Sequence, residues 1–112
     1  MKDPTSYDLK HRITIQEAVE TQGADGSVVQ TWETFKRCRA AMEPLSGNEF
    51  FAAQATQANV TGRIWVRYLD GKGVTPKMRV LWGDRVYEIS SVINYKERNK
   101  FLQLMVDEDV DG

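Results

Sequence analysis

Polar and apolar residues alternate along "LKHRITIQEAV", which sets Leu9, His11, Ile13 and Ile15 on one side of an extended chain and Lys10, Arg12, Thr14 and Gln16 on the other. The pattern predicts a first strand with Ile13 and Ile15 turned inward. Gly23 and the Asp25-Gly26 pair then supply turn chemistry, and the β-branched and aromatic run "SVVQTWETF" follows, so the two segments read as a hairpin with a flexible tip. In "KRCRAAME" the alternation resumes, with Cys38, Ala40 and Met42 opposed to Arg37, Arg39, Ala41 and Glu43. This is a third strand or a bent continuation of the second, ended by Pro44.

A different pattern begins there. Ser46 and Glu49 spell the S-x-x-E signature of a helix start, and "GNEFFAAQATQAN" is rich in Ala and Gln, with Asn59 as a C-terminal stop. One short helix is therefore expected near residues 47–58. Beyond it, "VTGRIWVRYLDG" alternates Ile64, Val66 and Tyr68 against Arg63, Trp65 and Arg67. "KMRVLWGDRVYEISSVIN" reads as two short strands about Gly83-Asp84, and "NKFLQLMVDED" as a last strand. Strands joined in series by hairpins make an antiparallel sheet whose apolar face must be covered. The expected fold is mainly β, a small antiparallel barrel or compressed sandwich of about six or seven strands with one inserted helix.

Length confines this to one domain: 112 residues support a single core. The expected ends are a flexible N-terminal lead, 1–7, and a solvated acidic C-terminal tail, 107–112. With 15 Lys+Arg against 16 Asp+Glu, bulk charge favours neither nucleic acid nor a membrane surface. The start "MKDPTSYD" has no apolar h-region, and no apolar run approaches the roughly 18 residues of a membrane span, so a soluble, unexported chain is expected.

Candidate chemistry is sparse. His11, the only histidine, has Lys10 and Arg12 as neighbours instead of a carboxylate, which argues against a catalytic triad or a metal site. Cys38, the only cysteine, reads as a small apolar residue on an inward strand face. No phosphate-binding glycine loop and no calcium-loop spacing occur, so neither an enzyme nor a cofactor nor a metal is expected. Two stretches keep alternatives open. Arg63, Trp65 and Arg67 share a strand face that could stack on single-stranded nucleic acid, or that could be an outer face on which guanidinium groups cover an indole. Phe50 and Phe51 point about 100° apart on a helix, so either both enter an intramolecular groove or one anchors a neighbouring subunit.

Taken in order, "LKHRITIQ", the aromatic at Trp32, "AAMEPLSGNEFFAAQ", "VTGRIWVRYLDGKGVTPKMRVLWGDRVYEISSVIN" and "KFLQLMV" resemble the phage head-tail joining proteins, also called head-tail adaptors, head-closure proteins or stoppers. The "DGKGV" turn is longer than usual for them, and "LMVDED" stands where they often carry a cysteine. The resemblance implies a non-enzymatic structural protein of a tailed phage or prophage. Such a protein forms a ring below the portal and its adaptor, closes the filled head and presents a docking surface to tail-completion or tail proteins. It implies a place at the virion head-tail junction, assembly in the bacterial cytoplasm, self-association that can await a partner, and contact with DNA only as DNA traverses the ring. Within that reading Glu49, Phe50 and Phe51 are the candidate assembly contact. The hairpin tip with Gly23, Asp25 and Gly26 and the loop with Gly71, Lys72 and Gly73 are candidate channel gates.

Overall fold

The structure is a computed structural model and describes residues 8–56 and 59–109. Six strands follow the alternation: β1 (His11–Gln22), β2 (Val28–Pro44), β3 (Gly62–Arg67), β4 (Arg79–Trp82), β5 (Arg85–Asn94) and β6 (Phe101–Asp109). They close into a barrel in the order β1-β2-β3-β6-β5-β4, with every neighbouring pair antiparallel. Closure leaves the sheet's central part without an open edge, the property that a small one-layer sheet needs.

The inward positions are those that the alternation marks. Ile13, Ile15, Ala40, Ile64, Val66, Val80, Leu104 and Val106 are almost fully buried in one cluster, with Cys38 and Met42 packed against it. The two alternating runs on either side of Phe35 are one strand. Ile15 pairs with Lys36 and Gln16 with Thr34, so Phe35 is an extra residue on β2, a bulge that bends the strand without ending it. The tip of the β1/β2 hairpin is closed by Asp25, whose carboxylate accepts from the Ser27 N–H at 3.0 Å and the Ser27 hydroxyl at 2.6 Å. Gly26 takes φ +87 there, a conformation that L side chains resist.

Three expectations change. Tyr68 leaves the strand and opens a single helical turn, α2 (Tyr68–Gly71), because Gly71 must pack against the barrel: a Cβ at this position would lie 2.7 Å from Leu102 and 2.8 Å from Val66. Asp107, Glu108 and Asp109 are no solvated tail; they finish β6, paired with Glu88, Tyr87 and Val86. The alternation "QLMVDED" continues a strand whose inward members are already fixed, and the acidic residues ride along on it. Residues 110–112 and the lead 1–7 lie outside the described residues. The inserted helix, α1 (Gly47–Thr56), forms where expected; the last expected positions, 57 and 58, lie outside the described residues. Among the described residues it has no S-x-x-E capping bond; the Glu49 carboxylate turns to Arg63 instead.

Candidate assembly surfaces

Helix α1 starts just after β2 runs out at Pro44, and three features fasten it to one end of the barrel. Phe50 and Ala53 pack on a satellite cluster of Leu45, Val60 and Met105. The Gln54 side-chain amide donates to the Val60 carbonyl at 2.7 Å. Arg63, whose side chain is largely buried, pairs with Glu43 and reaches Glu49 at 3.4 Å. Burial of that guanidinium is sustained by the two carboxylates, since a buried cation without a partner is costly.

The 100° offset between adjacent helical residues separates the two phenylalanines. Phe50 is half-buried against the barrel, whereas Phe51 is 72% exposed and touches Phe50 edge-on at 5.8 Å between ring centroids. Glu49 stands beside them with half of its side chain in solvent. One phenylalanine thus belongs to the subunit and the other is presented by it.

Next to α1 the barrel end opens into a hollow of about 380 Å3 floored by Met42, Ile64, Tyr87 and Val106. Its rim is charged and aromatic. Arg85 donates to both oxygens of Glu108, at 2.6 and 3.2 Å, and also covers the Trp82 ring. This bond holds the Glu108 carboxyl below, and the Arg85 guanidinium above, its ordinary pKa. The His11 ring meets Trp82 tilted by 57°, with 4.7 Å between ring centroids. Among the described residues no three His, Cys, Asp or Glu side chains converge as metal ligands. The hollow is invisible in the sequence because its floor is contributed by four strands and its rim by residues up to 97 positions apart. The one local signal was the strand pair about Gly83-Asp84, which sets Trp82 opposite Arg85.

The other candidates fall apart by location. Trp65 is 1% exposed, closed over by Tyr95 edge-on at 4.8 Å and by Arg63 at 5.9 Å from the ring. Arg67 is exposed on the same strand face, but a base would find no open indole beside it, so Arg63, Trp65 and Arg67 do not form a stacking platform. Sequence alternation put Trp65 on the outer face; the missing information was that the chain after β5 folds Tyr95 back over it. The gating candidates are likewise unequal. Gly23, Asp25 and Gly26 sit at the far end of the β1/β2 hairpin, while Gly71 is buried against the barrel and Lys72 and Gly73, which follow it, are exposed. Cys38 faces inward, and burial, aided by Asp70, pushes its thiol up to about 11.

Comparisons with known proteins agree with this architecture. Residues 4–109 match the model of the phage head completion protein family. The solution structure of protein SF1141 from Shigella flexneri 2a superposes with a TM-score of 0.75 at 24% identity, over 94% of this chain and 96% of that one. A chain from the virion of a native gene transfer agent particle superposes with a TM-score of 0.57 at 20% identity, over 91% of this chain and 96% of that one. No curated protein matches the sequence significantly. The two structures share the fold, and the family match spans nearly the whole chain: this protein belongs to the phage head completion protein family, whose members are structural proteins of the virion.

Proposed function

We propose that the protein closes the DNA-filled head as one subunit of a ring at the head-tail junction, set below the portal and its adaptor, with a face for tail-completion or tail proteins. The observation that carries this reading is the division of labour on α1. The helix is fastened by Phe50, Gln54 and Arg63, yet it holds Phe51 out in solvent. A rigid helix that presents an aromatic ring at little entropic cost has the anatomy of a hot-spot anchor. Glu49, Phe50 and Phe51 then act together, with Phe50 and the Glu49–Arg63 pair setting the pose and Phe51 making the contact.

The DNA channel supplies a second requirement. Between Ile13 and Phe35 the chain carries Glu17, Glu20, Asp25 and Glu33 and no Lys, Arg or His. A loop of that charge does not adhere to DNA phosphates, so the Gly23–Gly26 tip suits a movable obstruction in a channel that DNA must cross. The Gly71 loop, pinned at one end, is the poorer gate.

Native mass measurement and electron microscopy of the protein mixed with its portal-adaptor complex test the proposal. A defined ring added at the portal end is the expected result, and Phe51→Ser should weaken its addition roughly tenfold or more while the subunit stays folded. Absence of any association by folded protein would overturn the connector role.

A further inference from the structure

Beyond the Gln16↔Arg79 pairing that ends the contact with β4, β1 and β2 leave the barrel and pair only with each other, and the molecule is accordingly elongated, 53 × 29 × 26 Å. This two-stranded arm and its root carry opposite charges on opposite faces. Directly paired residues share a face, and alternate residues along a strand share it too. On the outward face of the root, Arg12 is paired with Arg39 and Thr14 with Arg37. These residues line a shallow hollow of about 300 Å3, and Lys10 is exposed beside it. None of the three guanidinium groups has an ion-pair or hydrogen-bond partner among the described residues. On the face that continues the inward side of Ile13 and Ile15, Glu17 is paired directly with Glu33, flanked by Val19, Thr31, Thr21 and Val29.

Each of these like-charge pairs costs the isolated subunit stability, since side chains directly opposite in a ladder lie about 5 Å apart. Both costs vanish if the two faces meet. We infer that the arm of one copy lies with its Glu17/Glu33 face on the Arg12/Arg37/Arg39 face of the next copy. The two pairs are five residues apart along β1, roughly 17 Å at strand rise, so a shift of that size brings one over the other. Because front meets back, the contact is heterologous and runs head to tail, as a ring requires. DNA would neutralise the arginines but leave Glu17 and Glu33 opposed; a second copy satisfies both. The inference rests on the ring reading and specifies one contact within it, distinct from Phe51. It also fixes where the arm's tip is carried.

Charge reversal tests it. Arg12→Glu with Arg37→Glu and Arg39→Glu makes the patch acidic even beside Lys10, and Glu17→Lys with Glu33→Lys makes the arm basic. Each exchange swaps one like-charge pair for another, so repulsion within the monomer is unchanged. Sedimentation at high protein concentration should show self-association of the native protein at about 10 mM salt, where the Debye length is about 30 Å, weakened at least tenfold at about 0.5 M. Each reversed protein alone should lose association, and an equimolar mixture of the two should regain it, because every arm then meets a patch of opposite sign. A native protein that stays monomeric at low salt, or a mixture that fails to recover, overturns the inference. So does a duplex oligonucleotide that binds the native protein, is lost by the acidic patch and is held more tightly by the basic arm, since that marks the patch as a phosphate surface. On the portal-adaptor complex, rings built equally well by both reversed proteins would overturn this contact while the connector role stands; no ring from the native protein would overturn the connector role itself.

Discussion

β1 and β2 pass through two environments, and the same alternating sequence does different work in each. Inside the barrel each has a second neighbour, β4 beside β1 and β3 beside β2, and every second side chain enters a packed core. Past Phe35 the ladder continues in unbroken register from Gln16↔Thr34 to Gln22↔Val28; near its root Trp32 is half-covered by the Arg79 guanidinium, 4.1 Å from the ring, but no side chain of the arm is fully buried, and at its far end Val28 and Val29 stay 67% and 46% exposed. A two-stranded ribbon is marginal in water when it stands alone. The barrel therefore holds the fold, and the arm keeps a strand conformation whose unpaired edges and apolar faces are available to a partner.

The widest gap between the two regions should appear in stability. Leu104→Ala removes a fully buried side chain from the barrel and should cost about 2–5 kcal/mol, whereas Val29→Ala in the arm should stay within about 0.5 kcal/mol. Denaturant unfolding of the two variants measures both. Equal losses would mean that the arm is part of the cooperative core and that the contrast drawn above is wrong.

Thiol chemistry gives the next contrast. The Cys38 thiol, raised to about 11 by burial, holds about a hundredfold less thiolate at neutral pH than a thiol at its ordinary 9.0. Alkylation should be slower by at least that factor than at Val29→Cys introduced into a Cys38→Ala background. The linkage has a sign as well: the folded state retains its proton between about 9 and 11, so this contribution to stability is present below pH 9 and is lost as pH rises through about 11. Cys38→Ala should flatten that alkaline decline.

How much of this was legible in the sequence follows the same division. Alternation depends only on which face of a strand is buried, so Ile13, Ile15, Cys38, Ala40, Ile64 and Val66 could be placed inward before any fold was known. Helix α1 was legible from its composition. What alternation could not carry was anything decided by a third element: Tyr95 covering Trp65, Leu102 and Val66 crowding Gly71, or β5 pairing with Asp107, Glu108 and Asp109 so that an apparent acidic tail becomes the end of a strand. The assembly candidates divide likewise. The 100° step predicts that Phe50 and Phe51 diverge, but only the position of Leu45, Val60 and Met105 decides which of them turns inward. Phe50→Ser should therefore cost about 2 kcal/mol, half of what a fully buried phenylalanine carries, while Phe51→Ser should leave the unfolding midpoint unchanged and act on assembly alone. Thermal unfolding of the two variants separates them; a Phe51→Ser protein as unstable as Phe50→Ser would return that ring to the subunit's own core.

The smallest expected effect lies at the barrel mouth, where Arg85 holds Glu108. Hydrogen bonding from the guanidinium lowers the carboxyl's pKa in the folded state, so protons bind more readily to the unfolded chain. The resulting stability is present above the ordinary carboxylate pKa and is lost as pH falls through the depressed one. The Arg85 side chain is exposed and that of Glu108 only partly covered, so salt screens the pair, and the change should be slight and should fade at high ionic strength. Glu108→Gln removes the titration but keeps an acceptor for Arg85. In acid titrations monitored by circular dichroism, the native protein should lose slightly more stability than this variant at low salt and no more at high salt. A difference that persisted in high salt would mean that the mouth is drier than its open rim implies, and that the barrel end beside α1 behaves as core.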